Sequence, residues 1–199
     1  ALFGTNPLSV TELSPEEELE RVIPVIESLS KTVPIPISID SYKPEVVEMA
    51  LKSGASIVND VWGLKKNPEI AGIAATHGAV LILMHNQEGT AYDSLLPDII
   101  KSLQISIAQA IEMGVERNKI IIDPGFGFGK TAAQNLELLR GLNTLQGLGY
   151  PIMLGTSRKG TIGYILNLPT HERVEGTAAT VAIGIANGAD MIRVHDVRE

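Results

Sequence analysis

The chain has 199 residues, 44% hydrophobic and 20% charged, which is enough for one well-buried domain and unlike a disordered or fibrous composition. A net charge of -7 excludes a broad nucleic-acid footprint, which needs a basic face, so anionic ligands would have to be met by a few placed cations. The absence of cysteine excludes disulfides and thiolate metal sites, no apolar run is long enough to span a bilayer, and no secretory leader opens the chain, so a cytoplasmic location is expected.

The opening stretch ALFGTNPLSVTEL reads as loop. SPEEELERVIPVIESLSK then carries the signals of a helix start: Ser14 as N-cap, Pro15 at the first position and Glu17 completing a capping box. Six short apolar runs follow: IPISID (35–40), SIVND (56–60), AVLILMH (79–85), KIIID (119–123), PIMLGTS (151–157) and DMIRVH (190–195). Nearly continuous apolar runs fit parallel strands covered on both faces.

Between them lie helix patterns over 43–54, 67–78, 95–114, 132–142 and 172–188. In the third, Leu96, Ile99, Ile100, Leu103, Ile107 and Ile111 keep the three-and-four spacing of a buried stripe. Gly54, Gly78, Gly114 and Gly188 stand where a left-handed C-cap belongs, and His77 stands where an imidazole meets the end of a helix dipole.

Alternating strands and helices without hairpin signals imply a parallel α/β fold, an open sheet or a (βα)8 TIM barrel. No glycine fingerprint follows the first strand, and Asp40, Asn59, His85, Asp123, Ser157 and His195 each fall at or just beyond the end of a different strand. Taken singly, an Asp or Asn there is more often a turn former. Six in register favour the barrel, whose strand ends converge on one mouth. Counted against a whole barrel, the first two strands, first helix and last helix lie outside this sequence, so residues 1–199 read as one partial barrel domain of a longer protein.

DPGFGFGKT (123–131) imitates a nucleotide P-loop, but Pro124 stands where that pattern needs glycine. What remains is an acid at a strand tip and glycines that let backbone approach a ligand, with Phe126 and Phe128 either walling a flat ligand or plugging the core. LGTSRKG (154–160) imitates a nucleophile elbow with Lys159 in place of its second glycine; Ser157 has no suitably ordered base, and Arg158 and Lys159 read as cations at the mouth. The four histidines show no zinc spacing. Strand alternation turns Arg193 and His195 to one face, which is expected to point inward at an anion.

Together, SIDSYKPEVVEMALKSGASIVNDVWG, IDPGFGFGKTAAQNLELLRGL, GTSRKG and GTAATVAIGIANGADMIRVHDV resemble the dihydropteroate synthase family, pterin-binding barrel enzymes of folate synthesis. The resemblance runs from about residue 35 to the end, and EEELERVIPVIESL fits the family's second helix. It implies a transferase that condenses 6-hydroxymethyl-7,8-dihydropterin diphosphate with para-aminobenzoate and releases diphosphate. By matching position, Asp40, Asn59, Met84, Asp123, Lys159 and Arg193 would bind the pterin, with Asp40, Asp123 and Lys159 catalytic. Phe128 and Ser157 would border the aminobenzoate, and Arg193 with His195 would hold the diphosphate.

Magnesium is the implied cofactor. Its expected ligand lies in the family's first strand, which has no counterpart here, and FGTNPLSVTEL matches the far side of a missing glycine-rich loop. Sulfonamide sensitivity and a homodimer are further implications. The chemistry of the residues agrees: a pterin edge presents two adjacent N–H donors that a carboxylate accepts as a fork, and an Arg guanidinium can lie flat on the ring. A pterin-dependent methyltransferase domain and a non-catalytic pterin-binding module are the alternatives.

Overall fold

The computed structural model describes residues 13–199; the stretch FGTNPLSVTE lies outside them. The chain divides into two compact units, residues 1–83 with 105–120, and residues 84–104 with 121–199.

The first unit opens with α1 (Pro15–Thr32), which starts as its sequence dictates. Ser14 Oγ accepts from Glu17 N at 3.2 Å, and the Glu17 carboxylate accepts from Ser14 N at 3.0 Å. Then come β1 (Ser38–Asp40), α2 (Pro44–Lys52), β2 (Ile57–Asp60), α3 (Glu69–Thr76) and most of β3 (Val80–Met84). The three strands are parallel neighbours in chain order, with Asp40 opposite Asn59 and Asp60 opposite Leu83. Val46, Val47 and Ala50 of α2 and Ile70, Ala71 and Ala74 of α3 are fully buried, so each helix lays an apolar stripe on the core. His77 is the C-cap residue of α3, as its place before Gly78 implies.

Past β2 the chain makes a tight turn organised by one carboxylate. Asp60, 1% exposed, accepts from Trp62 N at 2.8 Å and Leu64 N at 2.6 Å, which holds Leu64 at φ 68°. Burial raises its pKa, opposed by those N–H bonds. Asp60→Ala would strand two backbone donors and is expected to cost about 2 kcal/mol in urea denaturation.

The second unit carries α4 (Leu95–Glu112, shared with the first), β4 (Ile120–Asp123), α5 (Ala132–Arg140), β5 (Met153–Leu154), α6 (Gly160–Leu166), α7 (Val174–Ala186) and β6 (Met191–Ile192). In α4, Ile99, Leu103 and Ile107 are buried as the stripe requires, while Leu96, Ile100 and Ile111 are half-buried at its border. Short 3-10 turns sit at Arg117–Lys119, Leu142–Leu148 and Thr170–Glu172. β5 and β6 are parallel, Leu154 opposite Ile192, and Ile122 N donates to Pro151 O at 2.9 Å.

The last two strands are shorter than their apolar runs imply. After Leu154 the chain bends into the Ser-Arg-Lys turn, and hydrogen bonds such as Arg193 N to Leu154 O, 3.0 Å, continue the pairing without a regular strand. Helix α6 also goes beyond the sequence reading, because GTIGYIL has two glycines and no capping side chain. Gly54, Gly78, Gly114 and Gly188 all have positive φ at helix ends, as expected. Among the described residues no helix is long and apolar enough to cross a membrane.

Candidate active site

Two residues expected to bind pterin lie side by side in the first unit. Asp40 ends β1 half-buried, and its register partner Asn59 is 4% exposed on β2. Among the described residues no donor reaches the buried Asn59 Oδ1, an acceptor at a strand tip. Asp40 adds to the forces that raise the pKa of Asp60, so the two carboxylates sense one another.

In the second unit Asp123 ends β4, 6% exposed. Its Oδ1 accepts from Gly125 N at 2.7 Å, an Asx turn that starts the glycine loop. Burial pushes its carboxyl above the ordinary Asp range, while Lys159, the Gly125 N–H, Lys130 and Arg193 oppose that rise. Lys159, Lys130 and Arg193 thus act on a buried carboxyl that the Gly125 N–H also binds.

Phe126 and Phe128 have separate fates. Phe126 is fully buried in the core, whereas Phe128 is half-buried with Lys159 Nζ 4.5 Å from its ring centroid. Lys159 Nζ also donates to the Phe126 carbonyl, so the Ser-Arg-Lys turn is fastened to the glycine loop. Met84 is buried at the end of β3.

Ser157 is 4% exposed, and its Oγ accepts from His195 N at 3.1 Å and stands 2.9 Å from His195 Nδ1. The sequence order offers Ser157 no acid or His for a triad, yet a turn after β5 and another after β6 bring Ser157 and His195 together across 38 residues, a separation that spacing does not reveal. Asp196, the acid next in sequence, is engaged elsewhere, by Arg158 Nε at 2.8 Å and by a second contact from Arg158 Nη2. Each holds the other in its charged form, so the Arg158 cation is a strut between the two turns.

Arg193 and His195 share a face, as alternation requires, but both are exposed. They lie past the last regular pair of β6, which has β5 as its neighbour in this unit. Arg193 nonetheless acts on Asp123 electrostatically.

The sequence reading gave no role to Lys130 and Asn135, and both are buried. Asn135 Oδ1 accepts from Gly127 N at 2.7 Å, and its Nδ2 donates to Thr161 Oγ1 at 2.9 Å. A cleft of about 560 Å³ lies beside them, lined by Gly127, Lys130, Thr131, Gly160, Thr161 and Tyr164 among others.

The model of the family described as pterin binding enzyme matches residues 4–195. The chain is 50% identical over 187 residues to the dihydropteroate synthase of Bacillus subtilis (strain 168), covering 94% of this chain and 66% of that protein. A crystal structure of the dihydropteroate synthase of Clostridium difficile, determined in the presence of pteroic acid, superposes with a TM-score of 0.94 at 49% identity, over 98% of this chain and 74% of that one. The Xanthomonas albilineans dihydropteroate synthase with 4-aminobenzoic acid superposes with a TM-score of 0.92 at 38% identity, over 98% and 71%. With these matches and its parallel α/β architecture, the chain belongs to the pterin-binding enzyme family and, within it, to the dihydropteroate synthases, barrel-fold transferases of folate biosynthesis.

Proposed function

We propose that this chain, as a pterin-binding barrel domain, joins a dihydropterin, activated as its 6-hydroxymethyl diphosphate, to para-aminobenzoate, giving 7,8-dihydropteroate and diphosphate. The observation that carries this reading is Asp123: a buried strand-tip carboxylate, attended by Lys159 and Arg193, with the Phe128 ring against Lys159. The pteroic acid and 4-aminobenzoic acid in the two solved relatives support the same substrate classes here.

Asp123 accepts the two N–H groups of the pyrimidinone edge, and Lys159 donates to the ring carbonyl and nitrogen. Met84 packs near the ring, and Asn59 and Asp40, neighbours in the first unit, carry a pterin assignment from the family resemblance alone. Arg193 lies on the ring face and, with His195, holds the diphosphate.

The C–O bond of the pterin methylene breaks with its electron pair leaving on diphosphate. The Asp123 carboxylate stabilises the delocalised cation that remains. The aromatic amine, lodged against Phe128 and Ser157, forms the C–N bond with its lone pair, and its proton passes to diphosphate or water. No covalent bond to the enzyme is required, so the Ser157–His195 contact serves to brace the two turns.

Magnesium would neutralise charge on the leaving diphosphate. Among the described residues no three His, Asp or Glu side chains stand together to hold a metal, and magnesium ordinarily takes only one or two carboxylates beside substrate phosphates. The reading also carries a cytoplasmic homodimer acting on small molecules; the net charge of -7 supports such substrates over nucleic acid.

The test is diphosphate release by the intact protein. Release that requires both dihydropterin diphosphate and para-aminobenzoate is expected, and Lys159→Ala should lower it by about tenfold or more, the scale of one lost charge-assisted hydrogen bond. Pterin binding without release would turn the reading to a non-catalytic pterin-binding module.

A further inference from the structure

We propose that Lys130 is a positioning residue, whose ammonium clamps the glycine loop onto the end of β3 in the shape that presents Asp123 and Phe128 to the substrates. The inference rests on the reading of those two residues as substrate contacts. A lysine after a glycine run would ordinarily extend into water, yet Lys130 is 9% exposed. Its Nζ lies 3.0 Å from Gly125 O, 3.0 Å from Phe128 O and 3.1 Å from His85 Nδ1. An ammonium has three N–H donors, enough to serve all three of these acceptors.

Two of the acceptors belong to the loop, one at each side of the Phe126–Gly127 bend. The third belongs to His85, which is 2% exposed and donates its own N–H to Asp123 O at 2.8 Å. One cation thus ties the loop carbonyls to the strand end that also fixes the Asp123 backbone. For Nδ1 to accept, His85 must be neutral with its hydrogen on Nε2. Tyr92 stacks beside His85 at 5.9 Å between centroids and donates to Gly129 O at 2.9 Å; burial pushes its phenol up to about 12, so it stays a donor. Lys130 is also among the cations that draw the Asp123 carboxyl down, so charge and geometry must be separated by the choice of variant.

Four variants of the intact protein separate them: Lys130→Met, Lys130→Arg, His85→Leu and His85→Asn. Steady-state kinetics are measured against both substrates, with thermal unfolding alongside. Lys130→Met is expected to lose about a hundredfold in kcat/KM for para-aminobenzoate, the scale of a small misplacement of a substrate-positioning group. Lys130→Arg keeps the charge but cannot direct a planar fork at three convergent carbonyl and imidazole acceptors, so it should lose nearly as much.

His85→Asn keeps an acceptor near the place of Nδ1 and should recover most of what His85→Leu loses. Lys130→Met with His85→Leu should be no worse than the poorer single variant. Full activity in Lys130→Arg, or independent additive losses in the double variant, would overturn the proposal. If Lys130→Met fails to fold, the two His85 variants decide: equal activity in both overturns it. Normal kinetics in all four, with Asp123→Asn still impaired in pterin binding, would reject the clamp and leave the reading of the site standing.

Discussion

Replacing Asp123 by Asn is expected to weaken pterin binding by roughly 2 kcal/mol, about 30-fold, while leaving the protein at least as stable at neutral pH. The affinity loss follows from chemistry: a carboxylate accepts two parallel N–H donors as a charged fork, and an amide presents one acceptor and one donor to the same edge. The stability side follows from burial. The Asp123 carboxyl is raised in the folded state, chiefly by desolvation. A folded pKa above the unfolded value, about 3.9, means the folded state holds this proton more tightly. The stabilisation from that proton is complete below the unfolded pKa and is lost as pH rises through the folded one, above which the ionised group is a net cost to folding. Asn removes the cost and keeps an oxygen for the Gly125 N–H.

The same linkage gives a signature of binding. A ligand that donates to the carboxylate favours its ionised form, so pterin affinity should fall as pH drops toward the raised pKa, with a proton released on binding there. Calorimetry in two buffers of different ionisation enthalpy reads that proton, and Asp123→Asn should abolish it. Unchanged affinity in the variant, or a collapse in its melting temperature, would make Asp123 a structural residue.

The second large effect is expected at Gly125. Its φ is +71°, and an added Cβ would stand 1.9 Å from the His85 carbonyl oxygen and 3.4 Å from Lys130 Nζ. The carbonyl belongs to backbone whose own N–H is bonded to Asp123, so it cannot withdraw without unpairing the strand ends. Gly125→Ala should therefore cost on the order of 3 kcal/mol or displace the loop, abolishing activity in either case. Gly149, at φ 75° with open space around its Cβ, is the control; its alanine variant should cost about 1 kcal/mol, the backbone effect alone. Urea denaturation of both compares clash with conformation directly, and equal losses would show that the His85 contact is unimportant.

Much of this was legible in the chain. Parallel strands with acids at their tips, the Ser14 capping box and the glycine C-caps are local matters of periodicity and punctuation, whereas which of Phe126 and Phe128 enters the core was left open. The strand-tip positions of Asp40, Asn59 and Asp123 were legible too, because each falls at or next to the end of an apolar run. What sequence left dark is long-range pairing of polar groups. Ser157 with His195, Arg158 with Asp196, and Lys130 with His85 join residues 38, 38 and 45 apart, and no period links them. Lys130, to which the sequence reading gave no role, is buried where two loop carbonyls and a buried imidazole converge on its ammonium. The inward face of Arg193 and His195 was a fair inference from alternation, but beyond Ile192 regular pairing stops and both stand exposed.

A crystal structure of the intact protein with a bound 6-hydroxymethylpterin tests the central claim most directly. Both oxygens of Asp123 should accept N–H groups of the pyrimidinone edge at about 2.7–3.0 Å, with Lys159 on the adjoining ring carbonyl. A pterin seated away from β4, leaving Asp123 bonded to Gly125 alone, would contradict it.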